Sequence, residues 1–331
     1  MVTVIPVELP DAAVAADVAD GLAKVEAALA EAANAEEALF TQASRHLIDA
    51  GGKRFRATLV LLAAQFGKTR DDRVVRAATA IELTHLATLF HDDVMDEADT
   101  RRGHESANSR WNNTIAILTG DFLFARASQI LASLGDEAIK IQADTFTKLV
   151  SGQIAETLGP RPGQDPLAHY MRVVEDKTAS LIATAGRFGA MFADADVAIV
   201  SHMTAVCHAL GVAFQLSDDI LDVASESEQS GKTPGTDLRE GVRSLPVLHA
   251  LRSPGPGGQR LHELLLSGDL TDDSLHAEAL ALLRAHPAMD TARADLRHWA
   301  EVARAEISAL PAIGVREAFM DMCGYVVSRT G

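Results

Sequence analysis

The run LATLFHDDVMDEADTRRG, residues 86–103, places Asp92, Asp93 and Asp96 directly after an apolar stretch. On a helix Asp92 and Asp96 share one face, with Asp93 beside them. Like charges that close repel by about 1 kcal/mol per pair even in water, and Asp is a weak helix former. The same pattern returns in FQLSDDILDVA as Asp218, Asp219 and Asp222, far enough along the chain to lie on another helix. One acidic patch is most often a solvated helix face. Two, each set in apolar helix, call for a fold that gathers carboxylates around something positive.

The rest of the chain supplies helices for that purpose. Helical spacing of apolar residues runs from Ala12 to about Ile48, is broken by DAGGKRFR, and resumes in ATLVLLAAQFG. Further helical runs carry both acidic patterns, with Pro160, Pro162 and Pro166 marking a loop between them. No run shows the period-two alternation of strands, and aromatics are only 5% of the residues. The expectation is an all-α protein: a single domain over residues 1–331, built as one large helical bundle around a central cavity. Residues 1–11 are expected to form a flexible N-terminal segment.

The formal net charge of −16 argues against a nucleic-acid partner. Two cysteines, Cys207 and Cys323, provide no disulfide framework, the acidic N-terminus lacks a secretory pattern, and no apolar run approaches the ~20 residues of a membrane span. These features read as a soluble, cytoplasmic protein without a transmembrane segment.

Carboxylates without nearby His or Cys at ligand spacing suit a hard cation such as Mg²⁺. The EF-hand spacing is missing, and SGKT is no P-loop because Glu226 stands where a glycine is required. Mg²⁺ held by few carboxylates completes its octahedron with water and substrate phosphate oxygens. Basic residues flank both patterns: Lys53, Arg54 and Arg56 at a glycine break, Arg101 and Arg102 after the first, Lys232 after the second. Two anion sites follow, one bridged by metal and one metal-free, the latter lined by Lys53, Arg56, Arg102 and His85. Arg54 itself reads as a surface charge, and Asp121 in TGDFLF as a buried polar partner.

Taken together, GGKRFR (51–56), ELTHLATLFHDDVMDEADTRRG (82–103), TGDFLFARA (119–127), GQIAE (152–156), KTASL (177–181), FQLSDDILD (214–222) and GKTPGTDLREG (231–241) resemble the trans-isoprenyl diphosphate synthases of the polyprenyl synthetase family. The resemblance implies condensation of isopentenyl diphosphate with an allylic diphosphate, using two or three Mg²⁺ ions, by a homodimer. It implies metal ligation by Asp92, Asp96 and Asp218, with Asp93, Asp219 and Asp222 in support. Arg101, Lys177 and Lys232 would contact the allylic diphosphate, and Lys53, Arg56, His85 and Arg102 isopentenyl diphosphate. Thr178 and Gln215 would flank the reacting centre. The chain departs from the family pattern at Ala57, where proline is common, and at Arg243 and Ser244, where lysine and threonine are commoner.

In the family, bulky aromatics four or five positions before the first aspartate close the cavity of short-chain enzymes. Here those positions hold Thr88 and Ala87, so the gate reads as open and the product as longer than C20, of the quinone side-chain type. A geranylgeranyl or farnesyl diphosphate synthase closed further down is the alternative. A non-catalytic partner subunit is disfavoured because both acidic motifs are intact. A terpene cyclase is disfavoured because it needs no isopentenyl site, for which GGKRFR argues.

Overall fold

The computed structural model describes residues 11–69, 71–225, 234–253 and 258–330. Its helices are α1 (Ala12–Ala32), α2 (Ala38–Asp49), α3 (Phe55–Ala63), α4 (Asp72–Met95), α5 (Ala107–Arg110), α6 (Asn113–Ala132), α7 (Asp136–Leu158), α8 (Pro166–Val173), α9 (Ser180–Phe192), α10 (Val197–Ala224), α11 (Thr236–Arg239), α12 (Leu245–Arg252), α13 (Gly258–Ser267), α14 (Asp273–Arg284), α15 (Ala288–Ser308) and α16 (Gly314–Ser328). A short 3₁₀ turn, Ala64–Phe66, follows α3, and a π-helical turn, Val174–Ala179, joins α8 to α9. The protein is all-α, as its sequence predicts.

Local physics changes four details. The helix expected from Ala12 to Ile48 is two, because Thr41 closes the turn between them: its Oγ1 accepts from Ala35 N at 2.9 Å and donates to Ala35 O at 3.1 Å. Pro166 opens α8 instead of marking a loop; a proline loses nothing at a first turn, and Asp165 caps it through Leu167 N at 3.1 Å. One small strand pair exists, β1 (Thr100–Arg101) with β2 (His104–Glu105). Its two-residue turn, Arg102 and Gly103, has φ of 54° and 76°, the type I′ geometry that suits the twist of a hairpin. Lastly, against the expectation that no apolar run approaches a membrane span, α6 and α10 are long and apolar enough to cross a membrane by length and composition; the core helices of helical proteins meet the same criterion. Of the N-terminal segment expected to be flexible, residues 1–10 lie outside the described residues, while Asp11 caps α1 by accepting from Ala13 N at 2.8 Å.

The chain divides into two compact units. The first comprises the residues up to Thr147 with Leu181–Cys207 and Ile307–Phe319. In it α4 packs against α1, α3 and α6, burying Val25, Leu29, Leu59, Leu62, Leu83, Leu86, Phe90, Leu123 and Leu131. In α1 and α6 the buried residues form one stripe, whereas α3 from Ala57 to Ala63 and α4 from Ala77 to Thr84 are buried all round, as suits helices at the centre of a bundle. The second comprises Lys148–Ser180, His208–Glu306 and the residues from Met320 on. Its core joins Val212, Leu216 and Ile220 of α10 to Leu261 and Leu264 of α13, Leu283 of α14 and Leu296 of α15.

Candidate active site

In the first unit the acidic motif falls at the end of α4. Asp96 is the C-cap, its N–H bonded to Asp92 O at 2.8 Å, so the two carboxylates stand one turn apart at the negative pole of the helix. Asp92 is partly buried and Asp96 exposed, whereas Asp93 is fully buried. Asp93 Oδ1 accepts from Arg101 Nε at 2.6 Å, and its Oδ2 has no partner. Burial pushes the Asp93 carboxyl up, opposed by that hydrogen bond. The role of Asp93 is therefore to hold Arg101.

The basic residues gather around His85. The imidazole is driven well below its ordinary value, first by burial and then by Arg56, Arg102, Arg54 and Arg101, so it is neutral at physiological pH. Arg56 has its Nε buried without a partner, and burial lowers its pKa, partly offset by Glu82. Arg102, in left-handed backbone at the hairpin turn, donates from Nη1 to Leu47 O at 2.8 Å and to Gly51 O. Its guanidinium lies over Gly52, where a Cβ would come within 3.1 Å of it. Lys53 is exposed beside them. Three cationic side chains, a neutral imidazole and an unpaired buried N–H make a ready anion site.

Arg54, read as a surface charge, is 5% exposed. Its Nε donates to Glu26 Oε1 at 2.5 Å, and its Nη2 to Ile48 O at 3.1 Å. It holds the GGKRFR turn in place. Asp121, read as buried, is largely exposed and pairs with His91 Nε2 at 3.3 Å. At the proposed gate Ala87 is buried, and Thr88 Oγ1 donates to His85 O at 2.8 Å.

In the second unit the other acidic motif occupies the last turns of α10. Asp218 is half-exposed and pairs with Arg329 Nη2 at 2.8 Å. Arg329 also donates from Nε to Ser217 Oγ at 2.6 Å, and its guanidinium stacks 4.3 Å above the Phe214 ring. Asp222 caps α11, accepting from Thr236 N at 3.1 Å and Asp237 N at 3.2 Å. Asp219 is buried, and burial raises its carboxyl to about 6 against the pull of Tyr170, Leu245 N and Gln215.

Lys177 and Thr178 sit on the π turn, an irregularity common at functional sites. The Lys177 ammonium is paired with the Glu156 carboxylate. Gly152 lets α7 approach the turn: a Cβ there would lie 2.6 Å from Lys177 N. Thr178 Oγ1 donates to Gln215 Oε1 at 3.1 Å. Lys232 lies outside the described residues.

The polyprenyl synthetase family pattern matches residues 37–283. This chain belongs to that family. It is 48% identical to a nonaprenyl diphosphate synthase of Mycobacterium tuberculosis over 98% of this chain and 97% of that one. A solved geranylgeranyl pyrophosphate synthase of Corynebacterium glutamicum, complexed with calcium and isoprenyl diphosphate, is similar with a TM-score of 0.90 and 41% identity, covering 98% of this chain and all of that one. A decaprenyl diphosphate synthase of Rhodobacter capsulatus is similar with a TM-score of 0.87 and 31% identity, covering 96% and 98%.

Polyprenyl synthetases act on isoprenyl diphosphates with a divalent metal, and the donors fit such an ion. In the first unit Asp92 and Asp96 offer hard carboxylate oxygens at the negative pole of α4, and in the second Asp218 offers one on the last turns of α10. Among the described residues no three His, Cys, Asp or Glu side chains converge as a ready-made metal site. Mg²⁺ is characteristically held by one or two carboxylates completed by water and substrate phosphates. Sequence reasoning did not single out three side chains of this polyprenyl synthetase that contact the predicted site residues: Tyr170, Arg329 and Glu156. Glu156 lay inside a quoted motif. Tyr170 and Arg329 carried no local signal, since each acts through a residue far away in sequence.

Proposed function

We propose that this polyprenyl synthetase condenses isopentenyl diphosphate with an allylic diphosphate and releases a trans-polyprenyl diphosphate longer than C20. The observation that supports it best is the His85, Arg56, Arg102 cluster, a metal-free anion site distinct from the aspartate motifs. An enzyme that only ionised one diphosphate would have no use for it.

In this reading Arg56, Arg102 and Lys53 hold isopentenyl diphosphate, while neutral His85 adds a donor without competing for the carboxylates. Arg101, positioned by Asp93, and Lys177, positioned by Glu156, take the allylic diphosphate, joined by Lys232. Two or three Mg²⁺ ions on Asp92, Asp96 and Asp218 supply neutralisation of the leaving group when bound. The allylic C–O bond breaks, the isopentenyl double bond attacks the cation, and a proton leaves to the released diphosphate, lengthening the chain by one C5 unit. No side chain need be a strong base.

Small Ala87 at the gate and the nonaprenyl and decaprenyl relatives support a C30–C50 product for quinone side chains. The geranylgeranyl relative favours the shorter reading. The chain is further proposed to work as one catalytic domain, since the family match runs through both units. It is proposed to be cytoplasmic and homodimeric. Ile117 and Leu118 of α6 are exposed, as are Val150, Ile154 and Leu158 of α7, the last three spaced on one helix face.

Incubation with Mg²⁺, isopentenyl diphosphate and farnesyl or geranylgeranyl diphosphate, read by mass spectrometry, tests the proposal. Products of C30 or longer are expected. A stop at C15 or C20 would keep the chemistry and overturn the length; no elongation would overturn the activity.

A further inference from the structure

A chain of hydrogen bonds in the second unit has a direction. Asp219 Oδ2 accepts from the Tyr170 hydroxyl at 2.6 Å and from Leu245 N at 3.0 Å. Its other oxygen, Oδ1, accepts from Gln215 Nε2 at 3.0 Å. Gln215 Oε1 in turn accepts from Thr178 Oγ1 at 3.1 Å. With Oδ2 held by two donors, Oδ1 faces Gln215, and only the amide N–H₂ can meet it; a carbonyl there would oppose two oxygens. The amide is thus set with Oε1 outward, and that oxygen takes the Thr178 proton. Every dipole from Thr178 inward points its positive end at Asp219. The outer end therefore shows oxygen lone pairs.

We propose that Tyr170 is a positioning residue for the prenyl transfer: through Asp219 it sets the polarity of Gln215 and Thr178, so that their oxygens face the allylic cation. This rests on the reading above that places the reacting carbon beside Thr178 and Gln215. Aligned, preorganised dipoles stabilise developing charge without having to reorient as it forms. The effect belongs to the transition state, so it appears in kcat and leaves substrate binding alone. Bonds in series polarise one another, so breaking any link weakens the whole chain.

The test is a double-mutant cycle on elongation kinetics. Tyr170→Phe keeps the ring and removes the donor. It is expected to lower kcat about tenfold with both KM values within about twofold of wild type. Gln215→Leu cuts the chain in the middle and lowers kcat further. In the Gln215→Leu background Tyr170→Phe should then cost nothing more, because its effect travels through Gln215. Losses that multiply, or a rise in KM instead of a fall in kcat, would overturn the proposal. Should Tyr170→Phe not fold, Asp219→Asn in the same background decides, since Asp219 also acts through Gln215: masking is expected, and multiplication would refute the relay. Wild type in the same assay separates the two readings. No elongation by wild type defeats the proposed function, whereas elongation with an additive cycle defeats only the relay.

Discussion

Arg56 should make the protein less stable and more useful at once. Its guanidinium is lowered by burial and by Arg102, and its Nε has no partner. A guanidinium stays protonated in proteins, so the cost of holding the charge is present at pH 7. Holding a charge out of water without a paired partner is costly, and replacing whole buried ion pairs by apolar side chains of similar volume is often neutral or stabilising by about 1–4 kcal/mol. Glu82 offsets part of the charge here, so about 1–2 kcal/mol is expected for Arg56→Met. That corresponds to a rise in Tm of about 2–6 °C for a large domain. The same change removes charged hydrogen bonds to phosphate worth about 1.5–3 kcal/mol, raising KM for isopentenyl diphosphate about 10–100-fold. Thermal melts with and without inorganic diphosphate read both effects. Ligand at 100 times its Kd stabilises by about 2.7 kcal/mol, and the variant should lose most of that gain. A variant that melts lower than wild type, or keeps its KM, would refute the idea of an anion site poised by an uncompensated charge.

Ala87→Phe should shorten the product, read by mass spectrometry; unchanged length would sink the open-gate argument. Gly152→Ala forces a Cβ to within 2.6 Å of Lys177 N, and overpacking of that kind costs about 1–3 kcal/mol. A lower melting temperature with reduced kcat is expected, and unchanged values would show that the turn has room. Partly buried His85, beside four arginines, takes up a proton less readily than the unfolded chain. Its contribution to stability is thus complete above its unfolded value, about 6.5, and is lost as pH falls through the lower folded value. Wild type should lose melting temperature on acidification below pH 6.5 more steeply than His85→Asn; equal slopes would refute the assignment. Asp219 acts with the opposite sign, its contribution complete below 3.8 and lost as pH rises through about 6, and it is common to both proteins.

The aspartate motifs were legible because uncompensated like charges on an apolar helix have few explanations. The anion site was legible for a similar reason, as basic clusters stand out in an acidic chain. Roles inside the motifs were less so. Asp92 and Asp93 are neighbours of one type, yet one is partly exposed near the helix end and the other is buried against Arg101. That difference is set by which face of α4 packs inward. Arg54 looked like a surface charge because its partner, Glu26, lies on α1. The hairpin that presents Arg101 and Arg102 was too short to show alternation. The π turn was unreadable, since a wider helical turn leaves no mark on apolar spacing over six residues.

That turn has an evolutionary corollary. A π turn amounts to one extra residue accommodated in a helix, so deleting a residue between Val174 and Ala179 would restore ordinary winding and rotate Lys177 and Thr178 relative to α9 by about 100°. Gly152 leaves space for the backbone of Lys177, and a larger residue there closes it. Either change alone displaces Lys177 from its place. The insertion and the glycine are therefore expected to be coupled, a lineage that abandons one having to rebuild the other.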